Sequence, residues 1–258
     1  MTDGTGKKIE LREGEQLDDL QCAGLRILQK RGAFRYGTDA VLLANYAAAH
    51  VNASASLRAR LERPGAKLVN IADAGTGTGI VPILLCGKLG AVLGQLHVDA
   101  VEIQPDMCEL AARSVALNGL DGIIDVRCAD ICRSGLENMS CDAVTLNPPY
   151  VRAGSGLKSD LDAIACAKHE IFRTQEEMIA ASAALLRFRG QMFLVDRPDR
   201  LTDALAAMRG AGVEPAELTM VHADFDAPPV LFLCTGRKGG GKGLKVTAPR
   251  KADNYGGW

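Results

Sequence analysis

Aromatic side chains are scarce in this 258-residue sequence, at 4%. Tyr36, Tyr46, Tyr150 and Trp258 therefore stand out. No apolar run reaches the roughly 18 residues a membrane helix needs. The opening MTDGTGKKIELREGEQ has no apolar stretch of the signal-peptide kind. Together these set the expectation of a cytoplasmic protein with no membrane partner. The formal net charge is −1, which denies the chain a strong overall field for a polyanion, so any nucleic-acid contact needs a local basic patch. No CxxC pair occurs. Cys128 and Cys132 are the nearest cysteines, and no second pair accompanies them. His50, His97 and His222 share no ligand spacing with acids or cysteines, so no metal is expected. Most of the eight cysteines sit in apolar runs such as ILLCGKL and FLCTG, which reads as reduced core thiols.

What is present is an alternation of strands and helices. Residues 1–16 read as a loose polar leader. LRIL and AFRY within 17–36 read as a small hairpin, and Thr38 or Asp39 as the cap of a helix through AVLLANYAAAH. A polar connection covers 52–66. Strands are expected at 67–73, 97–103, 123–130, 141–147 and 190–196, with helices between, one opened by Pro105 and one by Thr174 running 174–188. A helix at LTDALAAMRGAG and two last strands, AELTMVHA and PPVLFLCTG, complete the pattern. Continuously apolar strands separated by helices predict an α/β protein, a mainly parallel seven-stranded sheet covered on both faces with an antiparallel edge hairpin. The boundaries read as a hairpin-and-helix extension over 1–60, a main α/β domain over 61–236 and a basic glycine-rich tail over 237–258.

Two sites stand out at the carboxyl edge of that sheet. Asp73-Ala-Gly75-Thr-Gly77-Thr-Gly79 joins a strand to a helix, where glycines let the backbone turn tightly and approach a ligand. Glu102 closes the next strand, where a carboxylate accepts hydrogen bonds from both hydroxyls of a ribose. The G-x-G-x-G spacing does not fit the G-x-G-x-x-G dinucleotide fingerprint, and no GK[ST] follows for a phosphate loop. The run resembles the first motif of class I methyltransferases, which implies S-adenosylmethionine as cofactor. Asp130, closing the third strand, fits the acid that meets the adenine amine in that family. Capping of the following turn is an equal reading.

The second site is Asn147-Pro148-Pro149-Tyr150, at the end of the fourth strand. An amine conjugated to a ring is a poor nucleophile because its lone pair is delocalised. The Asn147 side-chain oxygen and the Pro148 carbonyl can each accept one of its N–H groups and turn the lone pair towards a methyl donor. The prolines, Pro149 included, stiffen the backbone, and Tyr150 offers a face for stacking.

With both sites in one chain, the sequence resembles the NPPY amino methyltransferases. Over most of its length it resembles the branch that modifies adenine in the anticodon loop of valine tRNA. The stretches LDDLQCAGLRILQKRGAFRYGTDAVLLANYA, NPPYVRAGSG with AKHE, and GGGKGLKV carry that closer match. The resemblance implies adenine-N6 methylation in tRNA, and it makes Tyr36, Thr38 and Asp39 candidates for closing the cofactor pocket. The glutamine amide of release factors is a rival acceptor, served by the same tetrapeptide. A catalytically silent RNA-binding module is a rival of another class. His169 reads as a surface or packing residue more often than a base. Arg152, Lys158, Lys168 and Arg173 mark a basic loop. In the tail, Arg237, Lys238, Lys242, Lys245, Arg250 and Lys251 face one acid, Asp253, in a pliable setting suited to phosphates.

Overall fold

A computed structural model describes residues 10–31, 37–149 and 173–253 of the protein. Two short strands, β1 (Glu15–Asp19) and β2 (Arg26–Lys30), form an antiparallel hairpin. The hairpin thus begins inside the expected polar leader and pairs EQLDD with RILQK, because Leu28 and Ile27 are drawn into the core. AFRY lies outside the described residues. The hairpin leans on a later helix: Leu28 N–H donates to the Ser114 hydroxyl and Arg26 N–H to Asn118.

Helix α1 (Thr38–Ala53) follows. Its N-cap is Gly37, and neither Thr38 nor Asp39 caps it; Asp39 already lies in its first turn. The expected polar connection contains a second helix, α2 (Ala55–Leu61), whose Leu57 and Leu61 recur at four-residue spacing and are buried.

The sheet comprises β3 (Val69–Ala74), β4 (Leu96–Glu102), β5 (Ile124–Cys128), β6 (Cys141–Leu146), β7 (Leu186–Asp196), β8 (Val213–His222) and β9 (Pro229–Lys238). Across it the strands run β8-β9-β7-β6-β3-β4-β5, parallel except for β9, which is antiparallel to both neighbours. The chain reverses direction of travel between β3 and β6, which opens the ligand crevice at their carboxyl ends. Helices α3 (Ile80–Leu89), α4 (Pro105–Leu117), α5 (Gln175–Leu185) and α6 (Leu201–Gly210) make the crossovers. The expected α/β sheet with an antiparallel hairpin at one edge is the architecture observed.

Three details depart from expectation. Helix α5 ends at Leu185, short of the expected 188, and β7 starts at Leu186, which pairs with Cys141. The surplus residues bulge around Arg189, at φ +66°. The segment read as a pliable tail docks instead: β10 (Lys245–Val246) and β11 (Arg250–Lys251) pair in parallel with β8. Lys245 pairs with Glu217 on β8, Lys251 pairs with Asp224, and Lys238 donates to the Ala211 carbonyl. An otherwise bare edge of β8 supplies the unpaired backbone groups that recruit it. Finally, Cys128 and Cys132 are exposed, whereas Cys86, Cys108, Cys141 and Cys234 are buried. Among the described residues no helix is long and apolar enough to cross a membrane.

Candidate active site

The loop after β3 is built from backbone. Val101 on the neighbouring β4 accepts from both Gly75 N–H and Thr76 N–H at 2.9 Å, which ties the glycine run to the next strand. Gly75 and Gly77 hold φ of +74° and +57°, a region that costs a side-chain-bearing residue about 1–2 kcal/mol. Space beyond Gly77 is open for at least 4 Å where a Cβ would stand. Gly79, at φ +86°, begins α3 and packs against Ala111. It shapes the turn and is not among the residues lining the cavity below.

That cavity, of about 440 Å³, is bounded by Asp73, Gly75, Gly77, Glu102 and Asp130 on one side and by Asn147, Pro148 and Pro149 on the other. Asp39 lines it as well; Thr38 does not, and instead borders an adjacent groove that Asp39 shares. Tyr36, Tyr150, His169 and the basic residues Arg152, Lys158 and Lys168 lie outside the described residues.

The acids are held in distinct ways. Glu102 is buried; Oε2 accepts from Gly77 N–H and Oε1 from Gln104 N–H, both at 2.9 Å, and the Gln104 side-chain amide donates to Oε1 as well at 3.4 Å. Oε2 has capacity for a second donor, so the same group that shapes the loop can still receive a ribose. Asp73 is 2% exposed. One oxygen accepts from the Thr145 hydroxyl at 2.5 Å, and the other, Oδ2, has no partner among the described residues. Burial pushes its carboxyl up to about 6, against the opposing pull of the Thr145 bond. Asp130 accepts from Cys132 N–H at 3.0 Å and so caps the turn after β5, the second of its two sequence readings. Its other oxygen takes a two-pronged contact from Arg173, at 3.0 and 2.5 Å. The guanidinium holds this carboxyl below the usual carboxylate range.

On the far side, the Asn147 side-chain NH2 donates to Asp39 Oδ2 at 3.2 Å. Because a carboxylate only accepts, this contact determines which end of the amide is which: nitrogen towards Asp39, oxygen away. Asp39 therefore contacts the tetrapeptide as well as lining the cavity. Gly37 allows this, since a Cβ there would collide with the Asp39 carboxylate. Arg200 donates to the Pro149 carbonyl at 2.9 Å. Neither Arg200 nor its partner Asp196 was singled out in the sequence. A signal existed for the acid, which closes the apolar run MFLVD just as Asp73 and Glu102 close theirs.

The cavity suits a cationic nucleoside. Four acids line it, one with an orphaned buried oxygen, against one arginine, and a glycine wall leaves room for close approach. S-adenosylmethionine carries a sulfonium, an ammonium and a ribose, and the donor set fits each.

Comparisons with known proteins agree. A 27% identical relative from Phocaeicola vulgatus, over 79% of this chain and 76% of its own length, is named a tRNA1(Val) (adenine(37)-N6)-methyltransferase. A 25% identical protein from Aeromonas salmonicida, over 84% of this chain and 76% of its own, carries the same name. Among solved structures, a predicted O-methyltransferase from Agrobacterium tumefaciens superposes with a TM-score of 0.58 at 25% identity, covering 83% of this chain and 86% of that one. A putative class I S-adenosylmethionine-dependent methyltransferase from Listeria monocytogenes gives 0.55 at 12% identity, over 83% and 66%. The description of the methyltransferase small domain matches residues 46–210, well over half of the sequence. This chain belongs to the methyltransferase small domain family and is an S-adenosylmethionine-dependent enzyme.

Proposed function

We propose that the protein methylates the 6-amino group of an exposed adenine in the anticodon loop of tRNA, in the cytoplasm. The observation that carries this reading is the Asn147 amide. Its nitrogen donates to Asp39, which sets the oxygen as the accepting end, and the residue lines the same cavity as Asp73 and Glu102. An acceptor hook and a cofactor cradle in one space are the requirement for direct transfer between two bound molecules.

S-adenosylmethionine supplies a methyl group on a positively charged sulfur. Glu102 would hold its ribose, and the unpartnered oxygen of Asp73 its cationic end. Gly75 and Gly77 would let it lie close to the backbone. Asp130, occupied by Arg173, is available to the adenine amine only through its remaining lone pairs. On the acceptor side, Asn147 Oδ1 and the Pro148 carbonyl take the two N–H groups of the target amine. That draws the nitrogen out of conjugation and aims its lone pair across the cavity. After transfer the methylated nitrogen carries the extra proton, hydrogen-bonded to one of these oxygens, and loses it to solvent. Positioning and hydrogen bonding carry the rate, as they do where charge develops against fixed dipoles.

The relatives named for adenine 37 of tRNA1(Val) support an RNA base as acceptor. Incubation with labelled methyl donor and either total tRNA or release factor, followed by nucleoside and peptide analysis, tests this. N6-methyladenosine in tRNA is the expected product. Label only in release factor replaces the acceptor with a glutamine amide, and label in neither leaves an RNA-binding role.

A further inference from the structure

The Pro148 carbonyl can aim at an amine only if its peptide plane is fixed. Proline rings lock φ at positions 148 and 149 near −65°, and a residue before proline is held extended. Between the Pro148 carbonyl and the Pro149 carbonyl, the one torsion left free to turn is therefore ψ of Pro149. The Pro148 carbonyl itself turns about ψ of Pro148, and through the planar peptide and the locked ring any such turn swings the Pro149 carbonyl with it, so whatever holds the Pro149 oxygen opposes that turn.

Arg200 holds it. The residue ends the short turn Pro198–Arg200 between β7 and α6, and its side chain is 14% exposed. Nη1 donates to the Pro149 oxygen at 2.9 Å, while Nε faces Asp196 Oδ2 at 3.5 Å. Asp196 is fully buried at the end of β7. It is pinned by Gln175 Nε2 at 2.5 Å and by Arg197 N–H at 2.7 Å, so α5 and the turn itself brace it. None of Arg200, Asp196 and Gln175 lines the cofactor cavity. A planar guanidinium can present two edges at a fixed angle, one to a carboxylate and one to a carbonyl; an ammonium on a flexible stem cannot.

We propose that Arg200, braced by Asp196, is a positioning residue for methyl transfer, which anchors the Pro149 carbonyl and thereby keeps the Pro148 carbonyl aimed at the acceptor amine. The proposal rests on the amine-methylating reading of the cavity but not on which amine is used, since adenine and glutamine amide both need that carbonyl. It extends the acceptor machinery to a third crossover of the fold, beyond β6 and α1.

The test compares full-length wild type, Arg200→Lys and Arg200→Ala for transfer to tRNA and to release factor, with cofactor affinity measured by calorimetry. Arg200→Lys is expected to lose about ten- to a hundredfold in kcat, the usual consequence of a small misplacement. KM for the acceptor and Kd for S-adenosylmethionine should stay within about twofold. Arg200→Ala is expected to lose more and to regain part of its kcat when guanidinium is added. A folded Arg200→Lys with wild-type kcat overturns the proposal, as does an Arg200→Ala whose loss guanidinium leaves unchanged. A parallel fall in cofactor affinity also overturns it, by making the role structural. If the wild type transfers methyl to neither acceptor, the functional reading itself fails and this inference falls with it.

Discussion

The two walls of the cavity are built by different means. The cofactor wall is local: the glycine run hangs from Val101, and Glu102 fixes it through Gly77 and Gln104. The acceptor wall is assembled from afar: Asn147 is oriented by a side chain 108 residues earlier and Pro149 by one 51 residues later. A backbone cradle tolerates change in surrounding side chains, whereas a hook set by distant side chains fails when any one is removed. Substitutions should therefore separate the walls, the cofactor wall reporting in affinity and the acceptor wall in rate.

The largest effect is expected from Asn147→Ala. Removal of an acceptor that acts mainly as charge develops should lower kcat about 10²–10³-fold with cofactor affinity near normal. Single-turnover measurement at saturating tRNA checks it, and wild-type turnover would make the tetrapeptide structural only. On the opposite wall, Glu102→Ala should weaken S-adenosylmethionine binding by about 2–4 kcal/mol, because charge-assisted hydrogen bonds are removed and the loop slackens. Calorimetry on the folded variant reads this directly. An unchanged affinity removes Glu102 from the cofactor wall.

A smaller effect is expected at Asp39. Asp39→Asn keeps the size but can pair with either end of the Asn147 amide, so the amide loses its imposed orientation. A fall of about tenfold in kcat, or some 1.4 kcal/mol, with cofactor affinity unchanged is the expected outcome. If cofactor affinity falls instead, Asp39 belongs to the first wall and the contrast between the walls narrows.

The cofactor wall should also carry its own pH signature. Burial raises Asp73 to about 6 in the ligand-free protein, so its negative charge is present above that pH and lost as pH falls through it. Affinity for a cationic ligand should therefore decline on acidification through about 6. Its contribution to stability has the opposite sign: the buried charge is unfavourable, so the ligand-free protein gains stability as pH falls from about 6 towards the ordinary carboxylate value. Calorimetric titrations from about pH 5 to about pH 8 with wild type and Asp73→Asn check the first point. A slope retained in the variant assigns the pH dependence elsewhere.

The smallest effect is expected in the C-terminal segment, where Lys245, Lys251 and Lys238 are already engaged by the protein. Neutralising Lys242 and Lys245 should flatten the salt dependence of tRNA binding by only about 0.7–0.9 in log–log slope for each phosphate no longer neutralised. Binding isotherms at low and moderate salt check this. Parallel slopes would mean that the segment serves the sheet edge alone.

Adjacency along the chain determined what could be read without coordinates. Apolar runs of strand length, each followed by a helix, specify a covered parallel sheet, because a strand buried on both faces must be apolar throughout. The glycine turn and the acids at strand ends were legible for the same reason, as was the Thr174–Glu177 capping box that starts α5, since a cap and its partner lie three residues apart. Tertiary structure alone decided the rest. That Asp39 serves Asn147, that Asp130 is shared between a turn and Arg173, that Gly79 shapes the loop without facing the cavity, and that Arg200 reaches Pro149 all follow from elements brought together by the crossovers. The docking of residues 245–251 onto β8 is of the same kind. Glycine and lysine composition favours pliability locally, but an open strand edge offers backbone partners that no local pattern records.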